Sequence, residues 1–246
     1  LVYNHFLTTY LWRFDGWYQN NVGGSYFYND VRGHTPWGDR PDYGRPEVRD
    51  FILDNVAMWL SEYHIDGMRL DSTIYLRNVN GHNNDPDGDI PEAWQLLGDI
   101  TSLAHRVKPN ALMIAEDCSN NAWITKPLAE QGCAFDSQWD LGLPHVIRGA
   151  LGVDNEIPGL QNLVNVMMQK FNGDWRQRVV FADSHDTAAN GGERSIAAAE
   201  TNPHNVHARR IAILSSATAL TTPGIPMLLA GSEFLHGGDF NDRIAL

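Results

Sequence analysis

From residue 46 onward, apolar positions recur at helical spacing and then in short unbroken runs, and the two patterns alternate along the chain. Pro46 stands where the first turn of a helix tolerates proline. Val48, Ile52, Val56, Trp59, Leu60 and Tyr63 then fall on one side of a 3.6-residue period, which predicts a core-facing helix over 46–63. Residues 65–70 read as a strand, 91–107 as a helix, 111–115 as a strand, 122–131 as a helix and 134–139 as a further strand. One or two helices are expected over 143–170, a strand over 178–182, a helix over 205–220, and a strand over 225–230 between Pro223-Gly224 and Gly231.

Short apolar runs followed by helices are how βα units around a parallel sheet read, so the fold class is α/β. With residues 2–4 counted as a strand end, the chain supplies about six of the eight strands of a (β/α)8 TIM barrel. The expectation is a partial barrel, about strands 3 to 8, formed by one catalytic domain over 1–246. Its N-terminus lacks Met, and Asp242-Arg243-Ile244-Ala245-Leu246 lacks a closing element, so truncation at both ends is expected.

Two stretches break the alternation, 6–45 and 76–92. The first is a long loop inserted after the first strand, rich in glycine and in rings: Trp12, Trp17, Tyr18, Tyr26, Phe27, Tyr28 and Trp37. Loops this long inside a domain are usually functional. The rings serve either as a satellite core beneath the loop or as apolar, uncharged platforms for a ligand.

A chain of 246 residues with 43% hydrophobic content can fill a sizeable core. A net charge of −12 argues against nucleic acid or an anionic membrane as partner, because both require basic surface, and leaves neutral ligands open. Cys118 and Cys133 are too few for a disulfide framework and lack metal-ligand spacing. Both are expected to be buried small hydrophobes, and their scarcity leans toward a cytoplasmic location. No apolar run approaches the length of a membrane span, and the first residues lack the basic start and small-residue cleavage site expected of a signal peptide.

The chemistry-bearing residues gather at predicted strand ends. Arg69 and Asp71 are two apart at the end of 65–70, so both point to one side, where an arginine keeps a neighbouring carboxylate ionised and fit to act as a nucleophile. The plain alternative is an ordinary strand-end ion pair. The 111–115 strand runs into Glu116-Asp117, where a glutamate shielded by apolar neighbours suits a general acid, while Asp117 reads as a loop or cap residue. The 178–182 strand runs into Asp183-Ser184-His185-Asp186. Asn4-His5, Arg69-Asp71, Glu116 and His185-Asp186 would then open onto one rim of one barrel. Carboxylates converging on a neutral substrate are what glycoside chemistry requires.

Four segments, Val2-Tyr3-Asn4-His5, Asp66-Gly67-Met68-Arg69-Leu70-Asp71, Ala115-Glu116-Asp117 and Ser184-His185-Asp186, resemble in order the four marker regions of the α-amylase superfamily, glycoside hydrolase family 13. The resemblance covers essentially the whole chain. It implies Asp71 as nucleophile, Glu116 as acid and then base, and Asp186 as a carboxylate that binds sugar hydroxyls and favours the distorted transition state. Arg69 would orient Asp71, and His5 and His185 would bond hydroxyls of the sugar being cleaved, with Asn4 and Trp37 also at the substrate. Asn4 matches a position that ligates calcium in some amylases, but no cluster of oxygen ligands accompanies it, so neither a metal nor a cofactor is predicted.

Within the superfamily, Asn4-His5-Phe6, Thr35-Pro36-Trp37-Gly38, residues 43–49 and Pro223-Gly224-Ile225-Pro226-Met227 look most like 1,4-α-glucan branching enzymes. The implied partner is an α-glucan such as glycogen, starch or a malto-oligosaccharide. Trehalose-releasing hydrolases (malto-oligosyltrehalose trehalohydrolase) share much of this pattern, and α-amylase-type hydrolysis uses the same intermediate. A non-catalytic glucan-binding relative would have no need of all three carboxylates. One departure bears on acceptor preference: Asp183 stands where branching-type members are expected to carry Glu.

Overall fold

A computed structural model of the chain describes residues 1–6, 24–152, 160–189, 192–199, 202 and 204–238. The chain divides into two units, Leu1–Trp139 and Asp140–Leu246. The first unit runs through a hairpin of β1 (His34–Thr35) and β2 (Gly38–Asp39), then α1 (Pro46–Ser61), β3 (Gly67–Leu70), α2 (Thr73–Arg77), α3 (Pro91–Val107), β4 (Leu112–Ala115), α4 (Ala122–Thr125) and β5 (Ser137–Trp139). The second contains α5 (Gly142–Ala150), α6 (Leu160–Met167), β6 (Arg178–Val180), α7 (His185–Ala188), α8 (Ser195–Ala199), α9 (Val206–Thr221) and β7 (Ile225–Pro226).

Both long helices of the first unit begin with proline at the first turn and carry a glutamate there, which suits the positive end of the helix dipole. Val48, Ile52, Val56 and Leu60 of α1 are buried with Leu96, Leu97, Ile100 and Ala104 of α3, Met68 and Leu70 of β3, and Met113 and Ala115 of β4. Each fully buried Ile or Leu contributes about 1.5–3 kcal/mol. Trp59 is partly buried, whereas Tyr63 lies beyond the helix end and is mostly exposed, its ring 4.7 Å from Trp59.

β3 pairs in parallel with β4, Gly67 opposite Leu112 and Leu70 opposite Ala115, and β4 pairs in parallel with β5, Ile114 opposite Ser137. Gly67 is required there because a Cβ would stand 2.2 Å from the Leu112 carbonyl oxygen. In the second unit β6 and β7 are parallel, Val179 opposite Ile225, over a core of Leu143, Ile147, Val180, Ala182 and Ala219. Arg178 and Asp140 form a fully buried ion pair in that unit, and Asp140 Oδ1 also accepts from the N–H groups of Gly142 and Leu143, fixing the start of α5.

Several elements are shorter than their patterns suggest, each for a local reason. The helix expected over 122–131 is one turn, because Pro127 forces Lys126 into extended backbone, followed by a 3-10 turn at Leu128–Glu130. The strand expected over 225–230 ends at Pro226, which has no N–H for a ladder, although Met227 N still donates to Val180 O at 2.8 Å. Residues 2–4 form no ladder. Leu1 makes the two bonds of a parallel bridge, its amine to Arg69 O and Asp71 N to its carbonyl, but the next residues outrun β3, which ends at Leu70.

The described rings of 6–45 differ in burial. Phe27 and Tyr28 are buried, the latter donating to Glu92 at 2.9 Å, while Trp37 is 49% exposed at the tip of the β1–β2 hairpin. Trp12, Trp17 and Tyr18 lie outside the described residues, as do residues 242–246. Arg40 is fully buried and donates to the carbonyls of Arg32, Tyr75 and Val79, tying the hairpin to the segment after β3.

Candidate active site

The register of β3 and β4 puts two carboxylates side by side. Arg69 faces Ile114 and Leu70 faces Ala115, so the next pair beyond the ladder is Asp71 with Glu116, and Glu116 N donates to Leu70 O at 3.0 Å. Leu70 and Ala115 turn into the core, so residues one further along point the other way, to the side of Arg69. Arg69 Nη1 lies 2.5 Å from Asp71 Oδ1 and Nη2 lies 2.6 Å from Glu116 Oε2, so one guanidinium bridges both acids. Its plane lies 4.3 Å from the centre of the Trp139 ring, which restricts its rotation.

The remaining oxygens are held as well. Asn4 Nδ2 donates to Asp71 Oδ2 at 3.3 Å, and Asn4 Oδ1 is 2.7 Å from His5 Nδ1. The amide oxygen can only accept, so Nδ1 carries the proton and Nε2 of a neutral ring is left as an acceptor. Burial lowers the His5 pKa, partly opposed by the Asp71 charge, which favours that neutral form. Ser72 N donates to Glu116 Oε2 at 2.8 Å, and Cys118 Sγ lies 3.7 Å from Oε1. His5 and Trp37 have ring centres 5.8 Å apart, and Trp37 meets Tyr75 edge-on at 5.0 Å. Arg69, Asp71, Glu116, Asn4, His5 and Trp37 are thus linked within the first unit.

Asp186 and His185 belong to the second unit, in the first turn of α7, with His185 Nε2 3.3 Å from Asp186 Oδ2. Ser184 caps that helix by accepting from Thr187 N at 3.3 Å, while Thr187 Oγ1 accepts from Ser184 N at 2.8 Å. Asp183 accepts from the backbone and hydroxyl of Ser195 and lies 3.6 Å from Arg148, so it anchors the start of α8.

Two expectations need correction. Asp117 is more than a loop or cap residue: it is fully buried in a bidentate ion pair with Arg77. Cys118 is exposed, because a left-handed backbone at φ 57° turns the chain outward after Asp117, whereas Cys133 is buried. Asn4 spends both ends of its amide on Asp71 and His5, and among the described residues no three His, Cys, Asp or Glu side chains are grouped to hold a metal. Sequence reasoning missed Ser72, Thr73, Tyr75 and Arg77. Ser72 acts through its backbone N–H and leaves no side-chain signal, and the others are ordinary residues of a short helix.

The family model for the alpha amylase catalytic domain matches residues 9–241. The chain belongs to the α-amylase catalytic domain family. The 1,4-alpha-glucan branching enzyme GlgB of Methylococcus capsulatus is 29% identical over 227 residues, covering 87% of this chain and 30% of that protein. GlgB of Mycobacterium tuberculosis is 38% identical over 112 residues, covering 42% of this chain and 15% of that protein. The chain therefore spans less than a third of the length of these relatives.

Among solved structures, the alpha-amylase of Geobacillus thermoleovorans complexed with acarbose superposes with a TM-score of 0.60 at 20% identity, covering 86% of this chain and 43% of that one. The cyclic alpha-maltosyl-(1→6)-maltose hydrolase of Arthrobacter globiformis, in complex with maltose, gives 0.59 at 21% identity, covering 91% and 44%. Such identities bear on the fold. The fold of the α-amylase family is the (β/α)8 barrel, and the parallel βα repeats of both units are those of that barrel.

Proposed function

We propose that this chain is the catalytic part of a retaining α-glucan-active enzyme, a 1,4-α-glucan branching enzyme in its overall reaction. The observation that carries the reading is the single Arg69 guanidinium bridging Asp71 and Glu116. A group that touches both acids favours the narrow separation of a retaining pair, about 5–5.5 Å, over the wider gap of an inverting one.

In this reading an Asp71 carboxylate oxygen attacks the anomeric carbon. The C1–O4 bond breaks, its electron pair goes to O4, and Glu116 gives that oxygen its proton. The glycosyl ester then reacts with an acceptor O6–H. Glu116, now a carboxylate, takes the hydroxyl proton as the new C1–O6 bond displaces Asp71. His5 accepts a sugar hydroxyl at Nε2 and Trp37 offers its exposed face to a ring, and the family resemblance gives Asp186 and His185 the binding of sugar hydroxyls. Arg69 and Asn4 hold Asp71 in place. The relatives' names favour branching over hydrolysis. Among the described residues no helix is long and apolar enough to cross a membrane, and both thiols are free, in keeping with the proposed cytoplasmic location.

The test is incubation of the intact protein with linear amylose, with Asp71→Ala as control. Anomeric α-1,4 and α-1,6 signals are followed by proton NMR and reducing ends by colour assay. Growth of α-1,6 signal with little rise in reducing ends is expected. A rise in reducing ends alone replaces branching by hydrolysis, and no change with either protein refutes the enzyme reading for this substrate.

A further inference from the structure

Glu116 is held from two directions, and the second has no part in substrate contact. Its Oε2 accepts from Ser72 N at 2.8 Å, and its carbonyl oxygen accepts from Thr73 N at 2.7 Å. Ser72 adopts φ 39° and ψ 57°, left-handed backbone that a residue with a Cβ rarely takes. Something must hold it there. Thr73 Oγ1 lies 2.9 Å from Asp117 Oδ2 and 3.0 Å from Glu116 O, sharing its one hydrogen between them. Four residues on, at the far end of α2, Arg77 donates Nε to Asp117 Oδ2 at 2.9 Å and Nη2 to Asp117 Oδ1 at 2.7 Å.

The contacts close a ring: Glu116 to its neighbour Asp117, across to Arg77, back along α2 to Thr73 and Ser72, and from the Ser72 N–H to the Glu116 carboxylate. Arg77 and Asp117 side chains are 1% and 0% exposed, so neither reaches a ligand in the cleft. Ser119 Oγ donates to Asp117 Oδ1 at 2.8 Å, and the Arg77 guanidinium lies 4.8 Å from the centre of the Trp94 ring. A buried ion pair is a poor source of net stability compared with an apolar pair of similar size, but its planar fork fixes direction as well as distance.

We propose that Thr73, Arg77 and Asp117 are positioning residues that hold the Glu116 carboxyl where it can protonate the leaving oxygen, an inference that rests on Glu116 being the acid. The requirement for that proton separates this role from general support of the fold. An α-1,4-linked sugar leaves poorly without a proton, whereas fluoride leaves from α-maltosyl fluoride with little help. For both, kcat/KM reports formation of the glycosyl-enzyme.

The test compares maltoheptaose with α-maltosyl fluoride in the intact protein carrying Thr73→Val, Arg77→Lys, or Arg77→Met with Asp117→Leu, which removes both buried charges together. Glu116→Gln serves as reference. The expected result is a fall of about 10- to 100-fold in kcat/KM on maltoheptaose, a part of the roughly 10²- to 10⁴-fold that a general acid contributes, since Glu116 itself is retained. Values on the fluoride should stay within about threefold, and Arg77→Lys should recover part of the loss. Equal falls on both substrates with an unchanged melting curve would reduce these residues to structural support, and unchanged values on both would also overturn the proposal. If the double variant does not fold, Thr73→Val decides by the same ratio. Wild-type protein inert on both substrates refutes the reading of Glu116 and this inference with it.

Discussion

Replacing Arg69 by methionine keeps most of the side-chain length and removes the cation that lies 2.5 Å from Asp71 and 2.6 Å from Glu116. Unit charges about 4 Å apart interact by about 4 kcal/mol at an effective dielectric constant near 20. The three side chains are 22%, 23% and 10% exposed, so water screens them in part, and about 2 kcal/mol for each contact is the working value. Loss of both contacts frees the Asp71 and Glu116 side chains from the one group that sets their spacing. At about 1.4 kcal/mol per decade, kcat should fall by about 10³. Arg69→Lys keeps the charge but cannot span both acids, and a fall of about 30-fold is expected from one lost contact. Steady-state rates on maltoheptaose supply the comparison, with melting curves to guard against a fold effect through the lost stack on Trp139. A well-folded Arg69→Met protein within tenfold of wild type would refute the view that this bridge sustains the chemistry. A Lys variant as poor as the Met variant would refute its electrostatic part.

Gly67→Ala should be strongly felt although it adds one methyl group, because the Cβ meets a backbone carbonyl of the neighbouring strand rather than a movable side chain. A loss of about 1–3 kcal/mol is expected in denaturant unfolding, and an unchanged midpoint would show that β3 and β4 can separate at no cost. His5 has a lowered pKa, so between that value and the ordinary 6.5 the unfolded chain binds more protons than the folded one. Its contribution to stability is therefore full above pH 6.5 and is lost as pH falls through the window below it. Thermal melts of wild type and His5→Gln should diverge in that window, and parallel curves from pH 7 to 5 would contradict the burial argument.

The helices over 46–61 and 91–107 were legible because their apolar faces repeat at the helical period and proline marks each start. The strand-end positions of Arg69, Asp71 and Glu116 were legible as well, since a strand alternates its side chains and a motif at its end inherits a direction, whereas His185-Asp186 lie in the first turn of α7, past the end of β6 at Val180. Local rules also carry limits: Pro127 and Pro226 cut short two elements whose apolar runs continue past them.

What the sequence by itself determined is a βα chain whose carboxylates stand at strand ends and whose motifs resemble one enzyme family. The tertiary structure decided the rest. Register alone brings Asp71 beside Glu116 so that one guanidinium serves both, and no count along the chain reveals which residues of two strands lie opposite. Asp117 read as a loop residue because its partner Arg77 is 40 positions away and becomes a neighbour only when α2 folds back over the end of β4. The Ser72 N–H that grips Glu116 belongs to the backbone, which is the same at every residue except proline, so its role exists only in three dimensions.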